Sequence, residues 1–464
     1  MATRDLLAQL QNIAGSENIL HEAADCWPYG FDNSRRHSLP EFVAFPQEHA
    51  HVVEMIRLCN KNNVPVQARG RGTGTTGACV PIHGGLVISF EKMDRILEID
   101  PDNRLIVTQP GVTNGEIQKA AAKHGFFWPP DPTSSAFCTI GGNLAYNSAG
   151  PRAVKYGTPR ENTLGLRAIT GTGDDFRTGV YTSKGVVGYD LTRLLIGSEG
   201  TLAIITEATL KLTPLPDCKR TLRAIYRTMS DAAHAVSRIM AQPVTPCALE
   251  FIDHAAIEMI RDYSQAELPI NAGALLMIEV DGLESSMASS IAAIKKAAQN
   301  DGLNDGLIEF TIANTQEEVA ALWATRKALS PALRNIAPKK INEDIVVPVS
   351  NMAKLIDGLS ELSKKHSIRI VNFGHAGNGN IHVNLLTNPD DPAELKRAEA
   401  CLDEVFKLTL SLRGTLSGEH GVGLEKRDYI AQELDTTALG LMKAIKRQFD
   451  PQNILNPDKT LPID

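Results

Sequence analysis

Apolar residues recur at Val52, Val53, Ile56 and Cys59 within His49–Asn63, the stripe of one amphipathic helix. That helix leads into Val64-Pro65-Val66-Gln67-Ala68, a short apolar run that reads as a strand ending in a glycine-rich loop. Ala208–Leu212 is another such strand, and Pro214-Leu215-Pro216 behind it marks a domain boundary. Beyond the boundary the period alternates. Cys247–Ile252, Leu275–Val280 and Leu307–Ile312 read as strands, whereas Asp231–Gln242, Ser286–Ala298 and Glu317–Leu329 read as helices. Such alternation predicts a sheet covered by helices, an α+β layer.

One hairpin carries chemistry. In His375-Ala-Gly-Asn-Gly-Asn-Ile-His382, Asn-Gly is the strongest short turn signal, because both residues tolerate positive φ. A two-residue loop at Asn378-Gly379 pairs 377 with 380, 376 with 381 and 375 with 382. The two imidazoles then stand opposite one another with Cα atoms roughly 4.5–5.5 Å apart, close enough to share an ion. Asn384 shares their face by alternation, and Ile381 and Val383 point the other way. Downstream, Ser417-Gly-Glu-His-Gly421 sets Glu419 beside His420. Neighbouring residues reach one site only from irregular backbone, which Gly418, Gly421 and Gly423 allow. His375, His382 and Glu419 are a shell for a catalytic divalent metal; zinc fits first, and manganese or iron suit the same ligands. A lone histidine in a glycine-rich turn more often serves backbone groups, but this spacing together with Gly-Glu-His-Gly points to a metal.

Composition narrows the field. A chain of 464 residues exceeds one hydrophobic core, so about two or three domains are expected. With 43% hydrophobic and 22% charged residues and a net charge of −7, nothing draws the chain toward nucleic acid or an anionic bilayer. The seven cysteines form no Cys-x-x-Cys pair, which fits independent reduced thiols and argues against an iron–sulfur cluster held by this chain. The N-terminus carries Asp5 and lacks an apolar h-region, and no 18-residue apolar run occurs. A cytoplasmic protein without a transmembrane segment is expected.

Gly72-Thr-Gly-Thr-Thr-Gly77 formally matches G-x-G-x-x-G, but a nicotinamide-binding unit requires a helix next. Ala78-Cys-Val-Pro-Ile-His-Gly-Gly85 denies one. A run of small residues still suits a pyrophosphate, since the bare backbone forms an anion-binding nest. Asp131-Pro-Thr-Ser-Ser135, Thr139-Ile-Gly-Gly-Asn143 and Asn147-Ser-Ala-Gly150 supply a second segment built for close contact.

These motifs, with Gln109-Pro-Gly-Val112, Lys155-Tyr-Gly157 and Gly197-Ser-Glu-Gly-Thr-Leu202, resemble the FAD domain of the vanillyl-alcohol oxidase/p-cresol methylhydroxylase superfamily. The paired histidines and Ser417-Gly-Glu-His-Gly421 narrow the resemblance to its D-2-hydroxyacid dehydrogenase branch, from about residue 38 to the end. The resemblance implies an α+β fold: a two-subdomain FAD-binding module of the p-cresol methylhydroxylase type plus a ferredoxin-like cap, with the C-terminal segment returning to the FAD domain. The expected parts are an N-terminal helical segment (1–37), the FAD domain (38–215), the cap (216–412) and the closing segment (413–464).

By the same resemblance Gly70, Gly72, Thr73, Gly74, Thr76 and Gly77 hold the FAD pyrophosphate. Pro110, Gly111, Ser135, Thr139, Gly142, Ser148, Gly150 and Ile205 surround the rest of the cofactor, and Asn456 lies near the site. The pyrophosphate loop contains no histidine to bond the flavin, so FAD is expected to bind noncovalently. Arg326 and Ser330, four apart on one helix, are placed at the substrate carboxylate, which a guanidinium fork matches. Some relatives that take diacids have a lysine just before the acidic residue leading into the next strand; Asn342 stands there, two residues before Asp344, which weakens a dicarboxylate substrate.

The implied reaction is oxidation of a small D-2-hydroxy acid, D-lactate ahead of glycolate or D-2-hydroxyglutarate, with His420 as general base and hydride passing to flavin N5. Electrons leave to a quinone, a cytochrome or an electron-transfer flavoprotein. A homodimer is a family-level expectation. Two competing readings are a metal-independent alcohol oxidase using oxygen and a noncatalytic flavin subunit of an oxidase complex.

Overall fold

A computed structural model of the chain describes residues 2–261, 268–300, 306–336 and 339–463. By contact the chain divides into two units: Met1–Gly150 with Gly157–Leu215 and Glu419–Asp464, and Pro151–Tyr156 with Pro216–Gly418. The second unit therefore extends to Gly418, past the expected boundary at 412, and takes in a six-residue loop from within the expected FAD domain.

In the first unit, among the described residues, strands form two main sheets. One runs Ile19–Leu20, Phe42–Ala44, Leu86–Ser89, Val66–Arg69, the last three parallel. The other is antiparallel, in the order Ile96–Asp100, Leu105–Thr108, Ile204–Lys211, Thr163–Ile169, Asp175–Gly179. The helix His49–Asn62 buries Val52, Ile56 and Cys59 as its stripe predicts, and adds Met55 and Leu58. It shares a core with Leu6 and Leu10 of the N-terminal helix and with Phe42, Leu86 and Ile88 of the first sheet. Each such side chain contributes roughly 1.5–3 kcal/mol by leaving water. After Gly77 no helix follows, so the dinucleotide fingerprint is not a Rossmann turn.

The second unit is built on a seven-stranded antiparallel sheet, in the order Leu307–Ile312, Cys218–Tyr226, Ala274–Gly282, Ala248–Asp253, Arg369–His375, Asn380–Thr387, Lys339–Val346. The predicted helices appear as Met229–Ala241, Glu284–Gln299 and Gln316–Ile336. The last continues past Leu329, the end expected from the sequence, and through Pro331. A helix-interior proline costs about 3 kcal/mol. Ala332 and Leu333 offset this by sharing one buried core with Leu322, Leu329 and the sheet residues Ile252, Met277 and Phe373. Among the described residues no helix is long and apolar enough to cross a membrane. All seven cysteines are free, and all but Cys218 are buried.

Candidate active site

Within the first unit, the strand Val66–Arg69 delivers its glycine loop to the wall of a cavity of about 270 Å³, close to the lower end of small-ligand sites. Gly70, Gly72, Thr73 and Gly74 line it from one side; Thr139, Gly142 and Ser148 belong to the second small-residue segment, and Pro110 and Ile205 also line it. The segments press together closely. A Cβ on Gly70 would stand 2.4 Å from Thr139 Oγ1, and one on Gly74 would stand 2.7 Å from the Tyr146 hydroxyl. Gly72 adopts φ +64°, a left-handed conformation that favours glycine. Glycine is thus what lets bare backbone line the space, and a pyrophosphate suits such a small-residue cradle.

Other candidates stand behind that wall. Thr76 is buried and donates its hydroxyl to the His420 carbonyl at 3.4 Å, and its own carbonyl accepts from Leu424 N. Gly77, at φ +74°, lies against Leu424, and a Cβ on Gly111 would fall 2.0 Å from the Phe90 carbonyl. Ser135 N–H closes a turn on Pro132 O, and Gly150 N–H donates to Glu419 Oε2 at 2.9 Å. Asn456 is buried, donating Nδ2 to the carbonyls of Ala78 and Glu199 at 2.9 and 2.8 Å.

Glu419 and His420 line the same cavity. Gly421 at φ +84° and Gly423 at φ +50° supply the irregular backbone expected of adjacent site residues. Glu199, noted in the sequence only as part of the Gly197–Leu202 motif and given no role there, anchors the turn: it accepts from Val422 N at 2.6 Å, Gly423 N at 2.8 Å and Thr460 Oγ1 at 3.0 Å. Burial raises its pKa, and those donors moderate the rise. Lys459, buried beside Asn456, donates to Gln67 Oε1 and the Ala78 carbonyl at 3.0 Å each, and its pKa falls to about 8 through burial.

The second unit presents a polar sheet face. Its hairpin differs from the expected register: His375 pairs with Asn380 and Phe373 with His382. The loop has four residues, because Ala376–Asn378 form a 3-10 turn and only Gly379 takes the left-handed conformation, at φ 70°. A two-residue shift preserves the face, so the imidazoles still meet, edge to face, with centroids 5.2 Å apart. Asn384 follows on that face and donates to the carbonyls of Val371 and His382 at 3.2 and 3.1 Å.

Glu250, invisible to the motif search, organises the group. Only 2% exposed, it bonds His375 Nδ1 through Oε1 at 2.5 Å and accepts from Arg326 Nε through Oε2 at 3.2 Å. Burial pulls its carboxyl upward, but His375 and Arg326 outweigh burial and hold the pKa below the ordinary range. Arg326 also stacks over Phe373, 4.7 Å from the ring centroid. The side chain of Ser330 lies outside the described residues. Asp344, opposite His382, accepts from Ser417 Oγ at 3.1 Å and Gly418 N at 2.9 Å; Glu419 is the next residue of the chain. Alternation also puts Lys340 on the face of Asn342 and Asn384, and its Nζ donates to Asn384 Oδ1 at 3.3 Å.

The family description "FAD linked oxidases, C-terminal domain" matches residues 215–460, and "FAD binding domain" matches residues 40–179. The chain is 39% identical to the glycolate oxidase subunit GlcD of Bacillus subtilis, covering 100% of this chain and 98% of that one. It is 34% identical to a D-lactate dehydrogenase of Anaerostipes hadrus, covering 90% and 89%. A solved p-cresol methylhydroxylase with substrate bound shares the fold, with a TM-score of 0.79 at 17% identity and coverage of 99% and 97%. The chain belongs to the FAD-linked oxidases, among the FAD-dependent D-2-hydroxyacid dehydrogenases.

Proposed function

We propose that the protein is a metal-assisted dehydrogenase that oxidises a short D-2-hydroxy acid, D-lactate first, to the 2-oxo acid. The observation that carries this reading is the buried Glu250 carboxylate on His375 Nδ1. Histidines that bind metals characteristically have their second nitrogen bonded to a carboxylate or carbonyl, which fixes ring orientation and raises ligand basicity. With His382 beside it, this donor set suits a divalent ion, and Glu419, one residue past the Gly418 anchored on Asp344, completes the proposed shell.

When bound, FAD accepts hydride at N5, and a divalent metal polarises the substrate hydroxyl. The chain's residues do the rest. Gly70, Gly72, Thr73 and Gly74 hold the pyrophosphate, and Arg326 and Asn384 orient the substrate. Arg326 pairs with the substrate carboxylate while Glu250 steadies its Nε. His420 takes the hydroxyl proton on a ring nitrogen as C2–H departs with its electron pair, so the acid loses two electrons and two hydrogens. Adjacent irregular backbone at Gly421 lets His420 and Glu419 serve one substrate.

A second reading has one observation in its favour. Lys340 brings a cation to the Asn384 face despite Asn342 at the expected lysine slot, which suits a diacid such as D-2-hydroxyglutarate. Anaerobic titration of the yellow holoprotein with D-lactate, L-lactate, glycolate and D-2-hydroxyglutarate separates these readings. Bleaching by D-lactate, lost on chelation and restored by zinc or manganese, is the expected result. Bleaching by D-2-hydroxyglutarate at far lower concentration would transfer the assignment to a diacid. Full activity after chelation, with stoichiometric peroxide, would replace it with an oxygen-using oxidase.

A further inference from the structure

Gly197, Glu199 and Gly200 all take left-handed backbone, and Glu199 does so at φ 54° although it carries a side chain. A residue other than glycine is strained there, and such strain persists where the surroundings fix the residue in place. The Glu199 backbone is tied down by its N–H on the Ala145 carbonyl and by Asn456 Nδ2 on its own carbonyl, each at 2.8 Å. Its buried carboxylate reaches the turn behind His420: Oε1 takes the N–H of Val422, and Oε2 takes the N–H of Gly423 and the hydroxyl of Thr460. Room for it exists because residue 421 has no side chain, since a Cβ on Gly421 would stand 2.6 Å from Oε1. Thr76 holds the same turn from the glycine loop, its hydroxyl on the His420 carbonyl at 3.4 Å and its carbonyl on Leu424 N at 2.8 Å. Residues 418–422 belong to no helix or strand, so no ladder of their own fixes them. Contacts of this kind set the course of the chain, and a carboxylate makes the stronger hydrogen bonds.

We propose that Glu199 is a positioning residue for the oxidation: by gripping the N–H groups of Val422 and Gly423 it fixes where His420 presents its ring to the substrate. In this role it touches none of the reacting atoms. The inference rests on His420 as the proton acceptor and adds what holds that acceptor in place.

Glu199→Gln in the full-length holoprotein keeps the volume but offers one acceptor oxygen to two N–H groups. The measurement is the limiting rate of anaerobic flavin reduction at saturating acid, using whichever of D-lactate, glycolate and D-2-hydroxyglutarate reduces the parent, with bound FAD assayed on the same preparation. The expected result is roughly tenfold slower reduction at parental FAD content. Misplacing a base matters only while the base is present, so the same substitution made on top of His420→Ala should cost less than about twofold more. Equal slowing in both backgrounds would overturn the proposal by revealing a general distortion of the cavity wall. Loss of FAD with a parental rate in the flavin-loaded fraction would overturn it by giving the carboxylate to the cofactor. A parental rate in Glu199→Gln while His420→Ala is slow would overturn this proposal alone; a parental rate in His420→Ala would dismiss the base itself and the positioning role with it. Glu199→Gly, which the left-handed backbone favours, is read in the same way and keeps the test open if the glutamine variant does not fold.

Discussion

Glu250→Gln isolates the contribution of one charge to the second unit's polar face. The amide fills the same volume but offers a single acceptor oxygen, so it can serve His375 or Arg326 and not both. The carboxylate is 2% exposed, which leaves little water to replace what is lost. A hydrogen bond to a charged group is worth about 1.5–3 kcal/mol. At about 1.4 kcal/mol per decade, misplacing His375 or Arg326 by that amount slows flavin reduction roughly tenfold to a hundredfold. Loss of a carboxylate behind a histidine ligand lowers metal affinity by about the same factor. The assay is anaerobic stopped-flow reduction of the flavin by D-lactate, with metal content measured on the same preparation. Glu279→Gln is the control: Glu279 is also buried on the same sheet but accepts from Trp323 Nε1, Thr221 Oγ1 and Lys219 Nζ. Parent-like reduction and metal content in Glu250→Gln would refute the reasoning, as would an equal loss in Glu279→Gln, which would reveal a general packing defect.

His420→Ala removes the proposed base and should slow flavin reduction about 10²–10⁴-fold with FAD still bound; single-turnover rates check it, and an unchanged rate rejects the assignment. Gly72→Ala forces a left-handed alanine whose Cβ would lie 2.5 Å from Arg69 Nη2, so FAD content, read from the 450 to 280 nm absorbance ratio, should fall with about 1–2 kcal/mol of stability. Asp253 is buried, caps the helix His254–Arg261 at Ala256 N and accepts from Asn372; burial raises its pKa to about 6 despite those donors. Because the folded value exceeds the unfolded one, the stabilisation is complete below the ordinary aspartate pKa of about 3.9 and disappears as pH rises through about 6. From roughly pH 7 to pH 5 the parent should therefore gain about 1 kcal/mol over Asp253→Asn in urea unfolding, and parallel pH profiles would contradict this.

Local pattern was enough for a good deal of this protein. The stripe at Val52, Ile56 and Cys59, the strand Leu307–Ile312, and the refusal of Ala78–Gly85 to form a helix follow from side-chain period and backbone freedom, which act over a few residues. The same locality singled out His375, His382, Glu419 and His420 as candidates, because glycines mark where backbone leaves its regular course. The hairpin register lay beyond reach: Asn378-Gly379 suits either a two-residue or a four-residue loop, and the pairing of two whole strands chose the latter. The helix through Pro331 shows the same limit, since its local cost is offset by Leu333 entering a core assembled from distant strands.

What the sequence determined alone was therefore the kind of chemistry, carried by residues that sit close together in the chain. The tertiary structure decided which distant partners discipline those residues. Glu250 reaches His375 across 125 positions, Glu199 holds the Val422 backbone across 223, and Lys340 meets Asn384 across 44. The physical reason is that a buried charge takes the nearest donor that folding provides, and nearness in space is set by strand order and register rather than by position along the chain.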